Sequence, residues 1–439
     1  MTSIRVIPAS RPLEGTIRCP RDKSLSHRAA MIGALCNGTT RIEGFSFCQD
    51  CLSTLRCLER FGVHFEKNEH AEKLVIKSPG LHHLSEPDDI LDAGNSGTSI
   101  RMLSGIACGV EGISVFTGDE SIRKRPMKRI IFPLRKSGAF IAGRGGDRFP
   151  PLIVQGKSVL FPLQYALEVP SAQVKSALLF AALSAKSTSR IEEPIASRDH
   201  TERMLRYFGV SLSRREDTIY VEPPAELSPR ELVLPGDPSS AAFLLCAALL
   251  VPGSEVTVTD ICLNSTRTGF LRVLRSMGAQ ITEHPTVTTQ EGGEESGSIR
   301  AVASRLHSTS FGGEIIPSLV DEIPILAVTA TQAEGRTVIT GAEELRLKES
   351  DRLHAVADGL NKMGAAVEET PDGLIIDGPT PLRGARLQSH GDHRIAMSFL
   401  VAALVAKGET EIEGIDCIGI SYPSFFKDME TLGMRRLKE

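Results

Sequence analysis

The 439-residue chain has no tryptophan, and only 5% of it is aromatic. Single-stranded nucleic acids are held largely by stacking on aromatic faces, so this scarcity argues against that mode of binding. A net charge of −4 argues against a general nucleic-acid binder as well. Long apolar runs are also missing. The two longest, AAFLLCAALLV from Ala241 and IAMSFLVAALVA from Ile395, fall short of the roughly 18 residues that suggest a membrane span, and they read as buried helices. The start, MTSIRVIPAS, lacks the basic-then-apolar pattern of a secretory signal, which points to a cytoplasmic protein. The nine cysteines are odd in number and come with no such signal, so free thiols are expected rather than a disulfide framework. Cys48 and Cys51 form one C-x-x-C, but a zinc site would need a second ligand pair at comparable spacing, and none is present.

What the chain has instead is repetition. An apolar residue, three intervening residues, glycine and then Val, Ala or Met recur as LERFGV (Leu58), LRKSGA (Leu134), LRYFGV (Leu205), LRSMGA (Leu274), LNKMGA (Leu360) and METLGM (Met429). Each fits a helix stopped by a left-handed glycine before a strand. Upstream of each lies a β-branched, alternating segment: GTTRIEG (Gly38), GISVFTG (Gly112), STSRIEE (Ser187), GSEVTVTD (Gly253), GRTVITG (Gly335) and GETEIEG (Gly408). Ahead of each strand runs an apolar helix of small residues, the fifth (DEIPILAVTA) the least regular because Pro324 limits where it can start. The unit is therefore helix, strand, helix, glycine stop, strand, with a period of roughly 70 residues. Six α/β units divide naturally into two domains of three.

Polar clusters precede the apolar helices. They are Asp22-Lys23-Ser24-Leu25-Ser26-His27-Arg28, Asn95-Ser96-Gly97-Thr98-Ser99-Ile100-Arg101, Ser171-Ala172-Gln173-Val174-Lys175-Ser176, Asp237-Pro238-Ser239-Ser240, Asp321-Glu322 and Gly391-Asp392-His393-Arg394. Ordinary capping accounts for Ser, Thr, Asp and Asn at such places, as at Asp237 and Ser239. It does not account for lysine and arginine, which the helix dipole disfavours there. If the helices are roughly parallel, their N-termini share a face suited to anions. Asp22, Ser26 and His27 remain as open to local capping and packing as to a ligand. Further cations gather in GDESIRKRPMKRI and in EELRLKESDRLHAV, where Lys348 and Arg352 at i and i+4 are expected on one helix face, a pattern that also suits a solvated helix. Arg198 precedes an expected helix start in SRDHTERML. The stretch TTQEGGEESGSIR (Thr288 to Arg300) reads as a loop.

Taken together, DKSLSHRA, LDAGNSGTSIR, the RP of KRPM, PSAQVKSALL, SRDHTE, VDEIP, LKESDR and GDHRIAM, in this order, resemble the EPSP synthase family, the 3-phosphoshikimate 1-carboxyvinyltransferases. The resemblance runs almost end to end. It implies an α/β fold of two similar domains, each of three βαβαββ repeats, an inside-out α/β barrel whose buried helices point their N-termini at the interdomain cleft. Residues 21–235 would form the N-terminal domain, on the shikimate 3-phosphate side. Residues 1–20 with 236–439 would form the discontinuous C-terminal domain, and the chain would cross over near Leu234 to Pro238.

The resemblance also implies an activity. The enolpyruvyl group of phosphoenolpyruvate would pass to the 5-hydroxyl of shikimate 3-phosphate by addition and elimination. No metal or organic cofactor, nucleic acid or membrane would be needed, and a monomer is expected. Lys23 would lie between both substrates. Ser24, Arg28, Ser171, Ala172, Gln173, Arg198, Asp321 and Lys348 would hold shikimate 3-phosphate. Asn95, Gly97, Thr98, Gln173, Arg125, Arg352 and Arg394 would hold phosphoenolpyruvate, bidentate geometry favouring arginine. Asp321 and Glu349, with Lys23, would move protons. Two departures stand out: Ala172 replaces a second serine common in the family, and Ile420 replaces a lysine near the C-terminus. Of the alternatives, a UDP-N-acetylglucosamine enolpyruvyl transferase commonly has a cysteine in the loop matching GDESIRKRP, which this chain lacks. An RNA 3′-phosphate cyclase would need a nucleotide-attachment histidine, and its motifs match poorly. A non-catalytic anion-binding repeat protein would explain the cations but not the acids Asp321 and Glu349.

Overall fold

The computed structural model describes residues 2–286 and 293–437. Backbone contacts divide the chain into two units. One is Arg21–Leu234 with Gly293 and Glu294. The other holds the residues before Arg21 and the remaining residues after Leu234. Among the described residues the strands form six four-stranded sheets, three in each unit. Twelve helices have eight or more residues: α1 (Lys23–Ala34), α2 (Gln49–Glu59), α3 (Gly97–Cys108), α4 (Lys128–Arg135), α5 (Ala172–Ala182), α6 (His200–Tyr207), α7 (Pro238–Leu250), α8 (Gly269–Ser276), α9 (Ile323–Ala330), α10 (Arg352–Lys362), α11 (His393–Val405) and α12 (Phe425–Leu432).

One sheet shows the pattern of all six. Leu91–Asp92 pairs in parallel with Gly112–Thr117, which pairs antiparallel with Phe149–Gly156, which pairs antiparallel with Phe140–Gly143. The parallel pair is joined through α3 and the next step through α4, because a parallel connection must cross over, and a helix supplies the crossover. Three sheets borrow strands from far along the chain. Glu231–Val233 completes the sheet of Asn37–Glu43. Glu14–Arg18 joins Glu255–Cys262, and Ser3–Val6 joins Thr410–Glu413. These pairings place the first twenty residues with the C-terminal part of the chain.

The odd-numbered helices are the apolar, small-residue ones, and they are buried almost throughout. The runs at Ala241 and Ile395 lie in α7 and α11, and among the described residues no helix is long and apolar enough to cross a membrane. Small residues let these helices approach closely. A Cβ on Gly105 of α3 would sit 2.1 Å from the carbonyl oxygen of Ala177 in α5, so only glycine permits that spacing. α9 starts at Ile323, and Pro324 occupies its first turn, where its missing N–H has no partner to lose.

All six expected helix stops have the anticipated geometry. Gly62, Gly138, Gly209, Gly278, Gly364 and Gly433 have φ of 88°, 87°, 90°, 86°, 88° and 118°. In five of them the residue after the glycine donates to the carbonyl five residues back, as Val210 does to Leu205 at 3.0 Å and Met434 to Met429 at 2.9 Å. The nine cysteines are all free and buried.

Two sequence expectations are corrected. Lys348 and Arg352 do not share a helix. Lys348 is extended (φ −85°, ψ −150°), because the Asp351 side chain caps α10 by accepting from His354 N–H at 3.1 Å and the helix starts at Arg352. Of the expected loop Thr288 to Arg300, residues 288–292 lie outside the described residues, while Ser296–Arg300 belongs to the strand Ser296–Val302, paired antiparallel with Gln280–Thr286.

Candidate active-site residues

The first group of residues lies within the Arg21–Leu234 unit, at the starts of α1, α3 and α5. Asp22 caps α1, its carboxylate accepting from Leu25 N–H at 2.7 Å. Ser26 donates to the Asp22 carbonyl at 2.8 Å. His27 is fully buried, its Nδ1 2.7 Å from Thr54 Oγ1. Burial, then the charges of Lys23 and Arg28, push its pKa well below the ordinary histidine value, so it stays neutral. These three residues thus serve capping and packing. The cations beside them do not. Lys23, half-buried, places its ammonium 3.0 Å from Asp50 Oδ2 in α2. Arg28, buried, donates to Thr201 Oγ1 at 2.7 Å, to the Ser24 carbonyl at 2.9 Å and to Ser176 Oγ at 3.2 Å.

At the start of α3, Ser96 is the cap, accepting from Ser99 N–H. Gly97 follows, and two guanidinium groups converge on it. A Cβ there would lie 2.9 Å from an amino nitrogen of Arg101 and 3.0 Å from one of Arg125. Arg125 also donates to Asn95 Oδ1 at 3.2 Å. Arg101 donates to Gln173 Oε1 at 2.7 Å, and Gln173 Nε2 donates to Thr98 Oγ1 at 3.1 Å. Asn95, Gly97, Thr98, Arg125 and Gln173 are therefore joined, although Gln173 is some 75 residues from Thr98 in sequence. Ser171 caps α5 through Val174 N–H, and Ala172 is the first helical residue. Arg198, half-buried, sits in the loop before α6.

Two cations crowded against a helix N-terminus oppose the helix dipole, and the nearby positive potential favours an anionic ligand. Glycine leaves room for that ligand to meet the backbone. A Gly97→Ala variant is expected to raise KM for a small anionic substrate about tenfold by displacing Arg101 and Arg125 from their positions, while thermal stability changes little because flexible side-chain ends absorb the clash. Steady-state kinetics alongside thermal unfolding checks both halves.

The second group lies in the other unit, around Arg352. This guanidinium, almost fully buried, donates to Asp392 Oδ2 at 2.7 Å, Glu349 Oε2 at 2.6 Å and Asp321 Oδ1 at 3.1 Å. Lys348 stands 3.7 Å from Asp321 Oδ1. Arg394 stands 3.9 Å from Asp321 Oδ2 and 3.7 Å from Glu322 Oε1. Asp321, Lys348, Glu349, Arg352 and Arg394 thus form one cluster. Asp392 ties it to the start of α11, which it caps by accepting from Arg394 N–H at 2.9 Å. Burial opposes ionisation of Asp392, but the Arg352 guanidinium outweighs it and holds the carboxyl below its ordinary pKa. Burial likewise disfavours the Arg352 charge, and Asp392, Glu349 and Asp321 together raise its pKa instead.

Three members of these groups escaped the sequence reading. Asp50 lies inside the C-x-x-C, and nothing in the sequence links it to Lys23. Asp392 stands out in the sequence only as part of the Asp392-His393-Arg394 cluster, with no role of its own, and its contact with Arg352 spans 40 residues. Arg101 could have been found, since it stands one helical turn beyond Gly97 and so on the same face. Ile420, the position without the family's usual lysine, packs against the hydrophobic core. Among the described residues no group of three or more His, Cys, Asp or Glu is arranged to hold a metal ion.

The profile of EPSP synthase (3-phosphoshikimate 1-carboxyvinyltransferase) matches residues 7–429. The 3-phosphoshikimate 1-carboxyvinyltransferase of Desulforamulus reducens is 47% identical over 420 residues, covering 96% of this chain and 97% of that protein. The one from Bacillus licheniformis is 48% identical over 423 residues, with 96% and 97% coverage. The solved structure of EPSP synthase from Acinetobacter baumannii superposes with a TM-score of 0.87 at 38% identity, covering 99% of this chain and 100% of that one. Cations at glycine-opened helix starts in one unit, an arginine-centred cluster of acids in the other and similarity along the whole chain lead to one conclusion: the chain belongs to the EPSP synthase family.

Proposed function

We propose that the protein transfers the enolpyruvyl group of phosphoenolpyruvate to the 5-hydroxyl of shikimate 3-phosphate, releasing phosphate, as a cytoplasmic monomer. The observation that carries this reading is the start of α3, where Arg101 and Arg125 converge on Gly97. Such a site takes a small, compact anion bearing carboxylate or phosphate. In this reading each unit is an inside-out α/β barrel of three βαβαββ repeats. The division between the two falls near Leu234 to Pro238, and each carries the N-termini of its buried helices on one face.

Ser24, Arg28, Ser171, Ala172, Gln173, Arg198 and Lys348 bind shikimate 3-phosphate, with Ala172 contributing its backbone N–H. Asn95, Gly97, Thr98, Gln173, Arg125, Arg352 and Arg394 bind phosphoenolpyruvate, and Lys23 serves both. Glu349, with Lys23, protonates the methylene carbon while Asp321 accepts the proton of the 5-hydroxyl. That oxygen attacks the adjacent carbon and a tetrahedral intermediate forms. Phosphate then leaves, a proton returns from the methyl group, and the enol ether remains. Because Arg352 already binds Asp321 and Glu349, an incoming carboxylate competes for its N–H groups and frees both acids for proton transfer.

Phosphate release tests the assignment. Release from phosphoenolpyruvate is expected only when shikimate 3-phosphate is present. Release with UDP-N-acetylglucosamine instead would make the protein the other enolpyruvyl transferase, and release with neither would favour a non-catalytic anion binder.

A further inference from the structure

Lys175, in the second turn of α5, is completely buried. A buried ammonium carries a large desolvation cost, and a hydrophobic residue of similar volume is often no worse for stability. Its contacts suggest what the charge does instead. The ammonium lies 2.8 Å from Glu193 Oε1 and 2.6 Å from Glu202 Oε1, and it donates to the Ser197 carbonyl at 3.4 Å. Glu193 and Glu202 are themselves buried. They bracket the loop that carries Arg198.

The Glu193 carboxylate closes that loop on itself. It accepts from Ser197 N–H at 3.0 Å and Ser197 Oγ at 2.6 Å, while Arg214 donates to its other oxygen at 2.9 Å. Two cations and two anions balance within the cluster. The neighbouring residue in each helix repeats the tie. Ser176 Oγ is 2.6 Å from Thr201 Oγ1, which accepts from Arg28. Lys175 and Ser176 therefore clamp α5, whose start carries Ser171 and Gln173, to both ends of the segment bearing Arg198.

We propose that Lys175 is a positioning residue for shikimate 3-phosphate recognition: through Glu193, Ser197 and Glu202 it holds the Arg198 loop in register with the start of α5. The inference rests on the proposed role of Arg198. A charge on Lys175 fixes direction and distance as an apolar contact would not, and the loop cannot shift without leaving a buried carboxylate unpaired.

Two variants test this. Lys175→Met is expected to raise KM for shikimate 3-phosphate about tenfold, the loss expected for one charge-assisted hydrogen bond. KM for phosphoenolpyruvate should stay within about twofold, because Arg125 and Gly97 are untouched. Ser197→Ala removes only the hydroxyl contact to Glu193 and should shift the same constant in the same direction by a few-fold. If Lys175→Met does not fold, Ser197→Ala decides alone. Both constants unchanged in folded variants, or both raised equally, would overturn the inference. Arg198→Met is run in parallel. Unchanged shikimate 3-phosphate kinetics there would remove the assumed role of Arg198, whereas a shift there with none in the other two would remove the role of Lys175.

Discussion

Lys23→Met is expected to lower turnover by about 10³-fold or more, with a much smaller loss of thermal stability. Preorganised charge at a developing anion is commonly the largest contribution to catalysis, and removal of a single donor costs about 10²–10³-fold. Lys23 would also lose a proton-transfer role, which adds to that figure. Methionine keeps the length of the apolar stem, so packing changes little. Asp50, itself buried, loses the ammonium at 3.0 Å, at a cost of about 1–3 kcal/mol. Rapid-quench measurement of phosphate release, alongside thermal unfolding, separates the two effects. A variant as active as the parent would remove Lys23 from the centre of the mechanism.

Asp321→Ala is expected to lower kcat by about 10²–10⁴-fold, the contribution of a positioned proton-transfer group, with KM values changing by no more than a few-fold. The fold should survive. Arg352 keeps its contacts with Asp392 and Glu349 when Asp321 is lost, so the buried cation is not stranded. A rise in KM without a fall in kcat would show that Asp321 binds substrate and does not move a proton. The contrast with Arg352 is instructive. Truncating that residue would leave Asp392, fully buried, without its guanidinium, and the resulting loss of stability would obscure any kinetic reading.

Much of the architecture was legible because it is local. The six glycine stops need only a helix end and a left-handed residue, and the spacing of apolar residue, glycine and strand records both within six residues. The strands beginning near Gly38, Gly112, Ser189, Glu255, Gly335 and Thr410 were visible for the same reason: alternation is a property of neighbours in sequence. The misplacement of Lys348 has an equally local cause. The periodic pattern around LKESDRL allowed a helix to begin earlier, and the capping geometry of Asp351 decided otherwise.

The active-site residues divide along the same line. By itself the sequence determined which helix starts carry cations that capping cannot explain, at Lys23, Arg28 and Arg394. Helix polarity makes that misfit visible without coordinates. Only the tertiary structure decided which partners those charges meet. The pairing of Asp50 with Lys23, the three carboxylates around Arg352 and the clamp of Glu193 and Glu202 on Lys175 each join residues from different elements. The physical reason is range. Capping and periodicity act over one or two turns, whereas a charge in a buried site is set by whatever the packed helices bring within about 4 Å, wherever it lies in the chain.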